Sequence, residues 1–241
     1  MNLELLTLQY NTNDKLAPGW LEREDVNFYS AIRDEAGELA VSAGWKPWWS
    51  KAESQLDPEN CKTEVVDLLH FHMSAVLKEC FQFKEDSLDG LSAAELQNIL
   101  LKRALADFQE AFVFEPLQER TNVDLVNDYL GDVLSMGAIQ SIGSLLVLAR
   151  RFGMDDAELA MRYIAKNALN NFRKTKNYKG DIEGAPPYVK LWDGENEDNY
   201  FVTCIINKAI DNAETLTYDE FYSRIAALYA EKVENANVAT A

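Results

Sequence analysis

Residues 57–81, DPENCKTEVVDLLHFHMSAVLKECF, constrain the fold more than any other stretch of this chain. Asp57 suits a helix N-cap and Pro58 suits the first turn, so a helix is expected to start here. Val65, Val66, Leu68, Leu69, Phe71 and Met73 make that helix apolar nearly all round, which is the pattern of a core helix and not of a surface one. Glu64 and Asp67 are embedded in the apolar run, three residues apart, and so share one face.

The same anomaly occurs upstream. RDEAGELAVSAGWKPWWS, residues 33–50, belongs to a helix expected from about Glu22 to Ala43 and closed by Gly44. Phe28, Ile32 and Leu39 form its apolar stripe, and Glu35 falls on that stripe, with Glu38 three residues on. Four buried carboxylates without partners would each cost several kcal/mol or be forced to protonate. Basic partners are one remedy. A divalent cation is the other, and sets of hard oxygen ligands favour Mg2+ or Mn2+. Two helices that each contribute an i, i+3 pair could hold one or two such ions between them. Asp and Glu are 40 of 241 residues, so ExxE and ExxD spacings also arise by chance, and both readings stay open at this point.

Helical signals continue along the chain. Leu3, Leu6 and Tyr10 in LELLTLQYN have helical spacing before a break at LAPGW. LSAAELQNILLKRALADFQEAF is another helix, with Ser92 and Glu95 at capping-box spacing. Residues 122–153 read as one long or two shorter apolar helices. MDDAELAMRYIAKNALNNFRK follows, capped by Asp155 or Asp156, and TYDEFYSRIAALYAEKVE is the last helix. Residues 176–200 are the one long irregular stretch, and a loop that long is either functional or disordered. Residues 201–216 carry no assignment, and the tail 235–241 is expected to fray. With no alternating strand pattern, the expected class is all-α, a multi-helix bundle forming a single domain over residues 1–241.

Charge and cysteines narrow the setting. A net charge of −17 repels nucleic-acid backbones, whereas a free nucleotide can still bind through a bridging divalent metal. Cys61, Cys80 and Cys204 are scattered with no CxxC, the pattern of reduced thiols. The start lacks the basic and apolar segments of a signal peptide, and no apolar run is long enough for a bilayer, so a cytoplasmic protein without a membrane partner is expected.

Taken in order, DEAGEL, WKPWW, ENCKTEVVDLLHF, YIAKNALNNFRKTKNYKG and YVKLWDGENEDN resemble the dimeric dUTPase family of the all-α NTP pyrophosphatases, over about residues 3 to 200. The resemblance implies a homodimer that hydrolyses dUTP, and sometimes dUDP, with Mg2+ by attack on the β-phosphate, giving dUMP and pyrophosphate. It implies Glu35, Glu38, Glu64 and Asp67 as metal ligands, with Glu35 also orienting the attacking water as general base. LQYNTND is similar to the family's base-reading segment, which implies that Gln9 and Asn13 read the base edge; Trp48 is a candidate beside it, with packing of the tryptophan cluster the other reading. Lys166, Asn170 and Arg173 lie at i, i+4 and i+7 on one helix face, with Ile164, Ala168 and Phe172 on another, and the resemblance makes the first set phosphate ligands, joined by Tyr178 and Lys190. His70, three after Asp67, and Asn199 are candidate supporting groups, a core histidine being an equal reading of His70. His70 and His72 diverge on a helix and do not form a zinc pair. Pro47 departs from the family's turn, which leaves a dCTP-accepting or broader pyrophosphatase open beside dUTPase, and a silent helical interaction protein is the reading from another class.

Overall fold

The computed structural model describes residues 2–46, 48, 55–82, 91–110, 120–135 and 137–234. Pro47, Trp49 and the expected frayed tail 235–241 lie outside the described residues. Among the described residues the fold is all-α: α1 Leu3–Leu16, α2 Phe28–Ser42, α3 Pro58–Gln82, α4 Ala93–Glu110, α5 Asn122–Ser135, α6 Ala138–Arg151, α7 Asp156–Thr175, α8 Asp198–Asp211 and α9 Tyr218–Tyr229, with a π turn over Ala230–Glu234. No helix among them is long and apolar enough to cross a membrane. The chain divides into two compact units, Met1–Leu159 and Ala160–Ala241, with the division falling inside α7.

In the first unit α3 is the central element, packed against α1, α2, α4 and α6. Its burial runs almost the whole length, from Cys61 to Cys80. Asp57 accepts the Asn60 N–H at 3.0 Å, the expected cap. Ser92 and Glu95 exchange the expected pair of capping bonds ahead of α4. Residues 122–151 form two helices, because Gly137 adopts a φ of +93° that a continuing helix cannot use. A side chain at Gly137 would also meet the Tyr29 hydroxyl at 3.4 Å.

Helix α2 begins at Phe28, where its apolar stripe starts, six residues later than the expected start near Glu22. The Asn27 side chain accepts the Ser30 N–H at 3.1 Å and makes the cap. The segment before it is held in turns, with the Lys78 ammonium donating to the Val26 carbonyl at 2.8 Å.

The second unit has its own core, in which Phe172, Trp192, Phe201, Ile205, Phe221, Ile225 and Tyr229 are buried together. Helix α8 was not assigned from the sequence. Phe201, Val202, Ile205, Ile206 and Ala209 are its buried face, at spacings a helix requires. Asp198, inside the stretch expected to be irregular, is its first residue. Residues 176–197 remain irregular but are tied down: Asn177, at φ +61°, accepts the Ile182 N–H at 2.9 Å and donates to the Ala185 carbonyl at 3.1 Å.

His72 on α3 is fully buried, with Nδ1 at 2.9 Å from the Ala138 carbonyl and Nε2 at 2.7 Å from the Tyr129 hydroxyl. Both bonds suit a neutral ring whose Nδ1–H donates and whose Nε2 accepts. Burial pushes its imidazole down to about 4, despite the carbonyl of Ala138, which favours the charged form. An unfolded histidine titrates near ~6.5. Between these values the unfolded chain binds more protons than the folded one, so stability is complete above the upper value and falls as pH drops toward the lower. Urea unfolding at pH ~7 and ~4.5 is expected to show wild type losing about 2–3 kcal/mol more than His72→Gln. Equal losses would assign the acid sensitivity to other groups.

Candidate active site

The α2–α3 pair carries the acidic site. Asp57 N–H donates to the Ser42 carbonyl at 2.8 Å, which clips the start of α3 to the end of α2. Asn60 then donates through Nδ2 to Ser42 Oγ at 2.6 Å and to Glu64 Oε1 at 3.0 Å. Ser42 Oγ in turn donates to the Glu38 carbonyl at 3.0 Å. Glu64 is thereby buried and aimed, one turn inside the clip. Glu35, Glu64 and Asp67 each bring a carboxylate oxygen within 4.8 Å of the others. Three of the four acids expected as ligands therefore converge. Glu38 is exposed and outside the trio: it lies three residues past Glu35, on the solvent side of α2.

Two carboxylates that close repel by about 3–4 kcal/mol at an effective dielectric near ~20. An all-oxygen donor set of this charge fits a hard divalent cation. Asn60 and Ser42 were missed from the sequence. The Asn60–Glu64 spacing of four was legible, but Ser42 comes from another helix and had no local signal.

The expected base readers lie one to two turns further along α3. Gln9 and Asn13 are both buried on α1, facing Ser74 and His70 on α3. Gln9 Nε2 donates to Asn13 Oδ1 at 2.8 Å and to Ser74 Oγ at 2.9 Å, and Asn13 Nδ2 donates to the same hydroxyl at 2.9 Å. His70 Nδ1 is 2.8 Å from Gln9 Oε1. His70 therefore supports the amides of α1, and Ser74, which the sequence did not single out, joins them. Trp48 is exposed and packs edge-on against Trp45 at 6.0 Å, with the Lys46 ammonium over the Trp45 ring.

In the second unit the expected phosphate ligands lie on a helix that is buried on more than its apolar side. Lys166 is buried and donates to Asn199 Oδ1 at 3.2 Å. Arg173 donates through Nε and Nη2 to Asp198, at 2.8 and 2.7 Å, and through Nη1 to Asn170 Oδ1 at 3.2 Å. Its guanidinium also faces the Tyr178 ring at 5.2 Å. Three of its five N–H groups are thus engaged within the unit, leaving two by valence. Lys190 pairs with Glu197 at 2.8 Å in a half-exposed surface bridge that contributes little.

Asp198 is fully buried and the hub of this group. Burial alone would raise its carboxyl. The bonds and charge of Arg173, the Tyr188 hydroxyl and the Asn199 N–H outweigh that and hold it below the usual carboxylate range.

A family model described as dUTPase matches residues 2–178 of the chain. The match takes in the carboxylate trio, the amides of α1 and the α7 residues through Tyr178, and it ends before Lys190, Asp198 and Asn199. Comparison with curated proteins gives no match.

Asp198→Asn keeps the shape at the hub but leaves Arg173 buried without a counter-charge. The expected loss is about 3–5 kcal/mol in urea unfolding at neutral pH. A loss below about 1 kcal/mol, the range of an exposed pair, would show that the bridge is solvated in solution.

Proposed function

The chain belongs to the dUTPase family and hydrolyses dUTP, and from that premise we propose that it does so with Mg2+ held by Glu35, Glu64 and Asp67, releasing dUMP and pyrophosphate. The convergence of the trio within 4.8 Å, from two helices clipped together, carries this reading. Mn2+ satisfies the same donors.

When bound, the ion supplies positive charge against the phosphates and acidifies water. The chain's own residues supply the rest. Glu35 is the half-buried member of the trio on α2, and it orients a water molecule and accepts its proton. The water oxygen bonds to the β-phosphorus. The bridging bond from that phosphorus to the α-phosphate oxygen breaks, and its electron pair leaves on dUMP. Glu64, buried and bonded to Asn60, holds its geometry throughout. On α7, Lys166, Asn170 and the two remaining N–H groups of Arg173 take phosphate oxygens, with Tyr178 and Lys190 beside the loop that follows. Gln9 and Asn13 read the base.

The same reading makes the protein a homodimer acting in the cytoplasm, supported by the family resemblance and by three free cysteines. Light scattering at micromolar concentration tests the dimer.

Pyrophosphate release across a panel of deoxynucleotides, with Mg2+ titrated, tests the reaction. Pyrophosphate is expected from dUTP, and orthophosphate as the first product would overturn the point of attack. Asp67→Asn is expected to abolish hydrolysis while leaving the protein folded. Asn60→Ala is expected to weaken Mg2+ affinity roughly 10–100-fold and to recover turnover at saturating metal. Full activity of Asp67→Asn at low Mg2+ would remove the trio from the mechanism.

A further inference from the structure

Four side chains between α1 and α3 are joined by hydrogen bonds, and the direction of one hydroxyl proton sets how the amides among them are turned. Ser74 is fully buried and donates its hydroxyl to the backbone carbonyl of His70 at 2.7 Å. A serine hydroxyl has one proton, so toward its other neighbours Ser74 offers lone pairs alone. Two amides approach them, Gln9 and Asn13, each at 2.9 Å. Turning either amide over would set a carbonyl oxygen against those lone pairs, inside a buried site where water does not repair the loss. Both amides must therefore present nitrogen to Ser74.

The rest of the cluster follows from this. The second N–H of Gln9 goes to Asn13 Oδ1 at 2.8 Å. The oxygen of Gln9 then faces His70 Nδ1 at 2.8 Å, so that nitrogen must carry a proton. Asn13 keeps one N–H and one lone pair beyond these bonds, in a fixed order. The pyrimidine edge poses a matching question. Uracil presents a donor at N3 and an acceptor at O4, whereas cytosine presents an acceptor at N3 and a donor at N4. An amide that cannot turn over satisfies one order and meets the other donor to donor and acceptor to acceptor.

We propose that Ser74 sets the preference for uracil over cytosine by locking the orientation of the Gln9 and Asn13 amides. This rests on the reading that α1 contacts the base. Ser74 is a positioning residue: it is enclosed by α1 and α3 and acts through the two amides.

The experiment is kcat/KM for dUTP and dCTP in wild type, Ser74→Ala and Asn13→Ala. Ser74→Ala removes the acceptor and frees both amides to turn. The dUTP/dCTP ratio is expected to fall roughly tenfold or more, chiefly through KM. A merely structural role for Ser74 would lower both substrates alike and leave the ratio in place. An unchanged ratio in Ser74→Ala with a changed ratio in Asn13→Ala overturns the lock and keeps base reading by α1. An unchanged ratio in both removes α1 from base recognition altogether. Nitrogen-15 NMR of histidine in the intact wild-type protein supplies a measurement that needs no variant. A protonated Nδ1 on His70 at neutral pH is expected, and an unprotonated one overturns the proton order on which the lock depends.

Discussion

Helix α3 is buried on nearly every side, and yet it carries Glu64, Asp67, His70, His72 and Ser74. Burying those groups is tolerable only when each finds a partner, because an unmatched polar group in the interior costs about 1–3 kcal/mol. Glu64 finds its partner one turn earlier on α3 itself, and His70, His72 and Ser74 find theirs on the surrounding helices. Asn60 meets Glu64, the Tyr129 hydroxyl and the Ala138 carbonyl meet His72, and α1 meets Ser74 and His70. Each pairing between helices fixes the position of a helix as well as a proton. The packing of the first unit and the chemistry of its site are therefore set by the same bonds.

This coupling explains the arrangement of the acidic trio. The trio needs its two helices held in register if its carboxylates are to stay within 4.8 Å of one another. The clip between Ser42, Asp57 and Asn60 does this, using neutral backbone and side-chain bonds near the acids. An oxygen donor set held in this way fits a divalent cation.

The second unit solves a related problem with a charge pair. Arg173 and Asp198 are both withdrawn from water, and the pair is kept charged by two direct bonds, by Tyr188 and by a backbone N–H. Tyr188 also accepts the Trp192 indole N–H at 3.1 Å, so the pair is tied into the aromatic core between α7 and α8. An arginine held this rigidly has little side-chain entropy left to lose.

Much of this was legible in the chain itself. The 3.6-residue periodicity, the caps at Asp57 and Ser92 and the order of the acidic and basic motifs determined an all-helical protein and the identity of its family, because these depend on residues close in sequence. The embedded acids of α2 and α3 pointed to a site for the same reason: an acid on an apolar stripe is anomalous wherever it folds. Tertiary structure alone decided which acids meet. Glu35 and Glu38 share a spacing with Glu64 and Asp67, but the rotation of α2 against α3 turns only Glu35 inward. It also decided that Arg173 is engaged by Asp198 and that Ser74 lies under Gln9 and Asn13. Those partners are 25, 65 and 61 residues apart in the chain, and hydrogen bonds over such separations leave no periodic trace in sequence, because they form only when helix packing brings the side chains together.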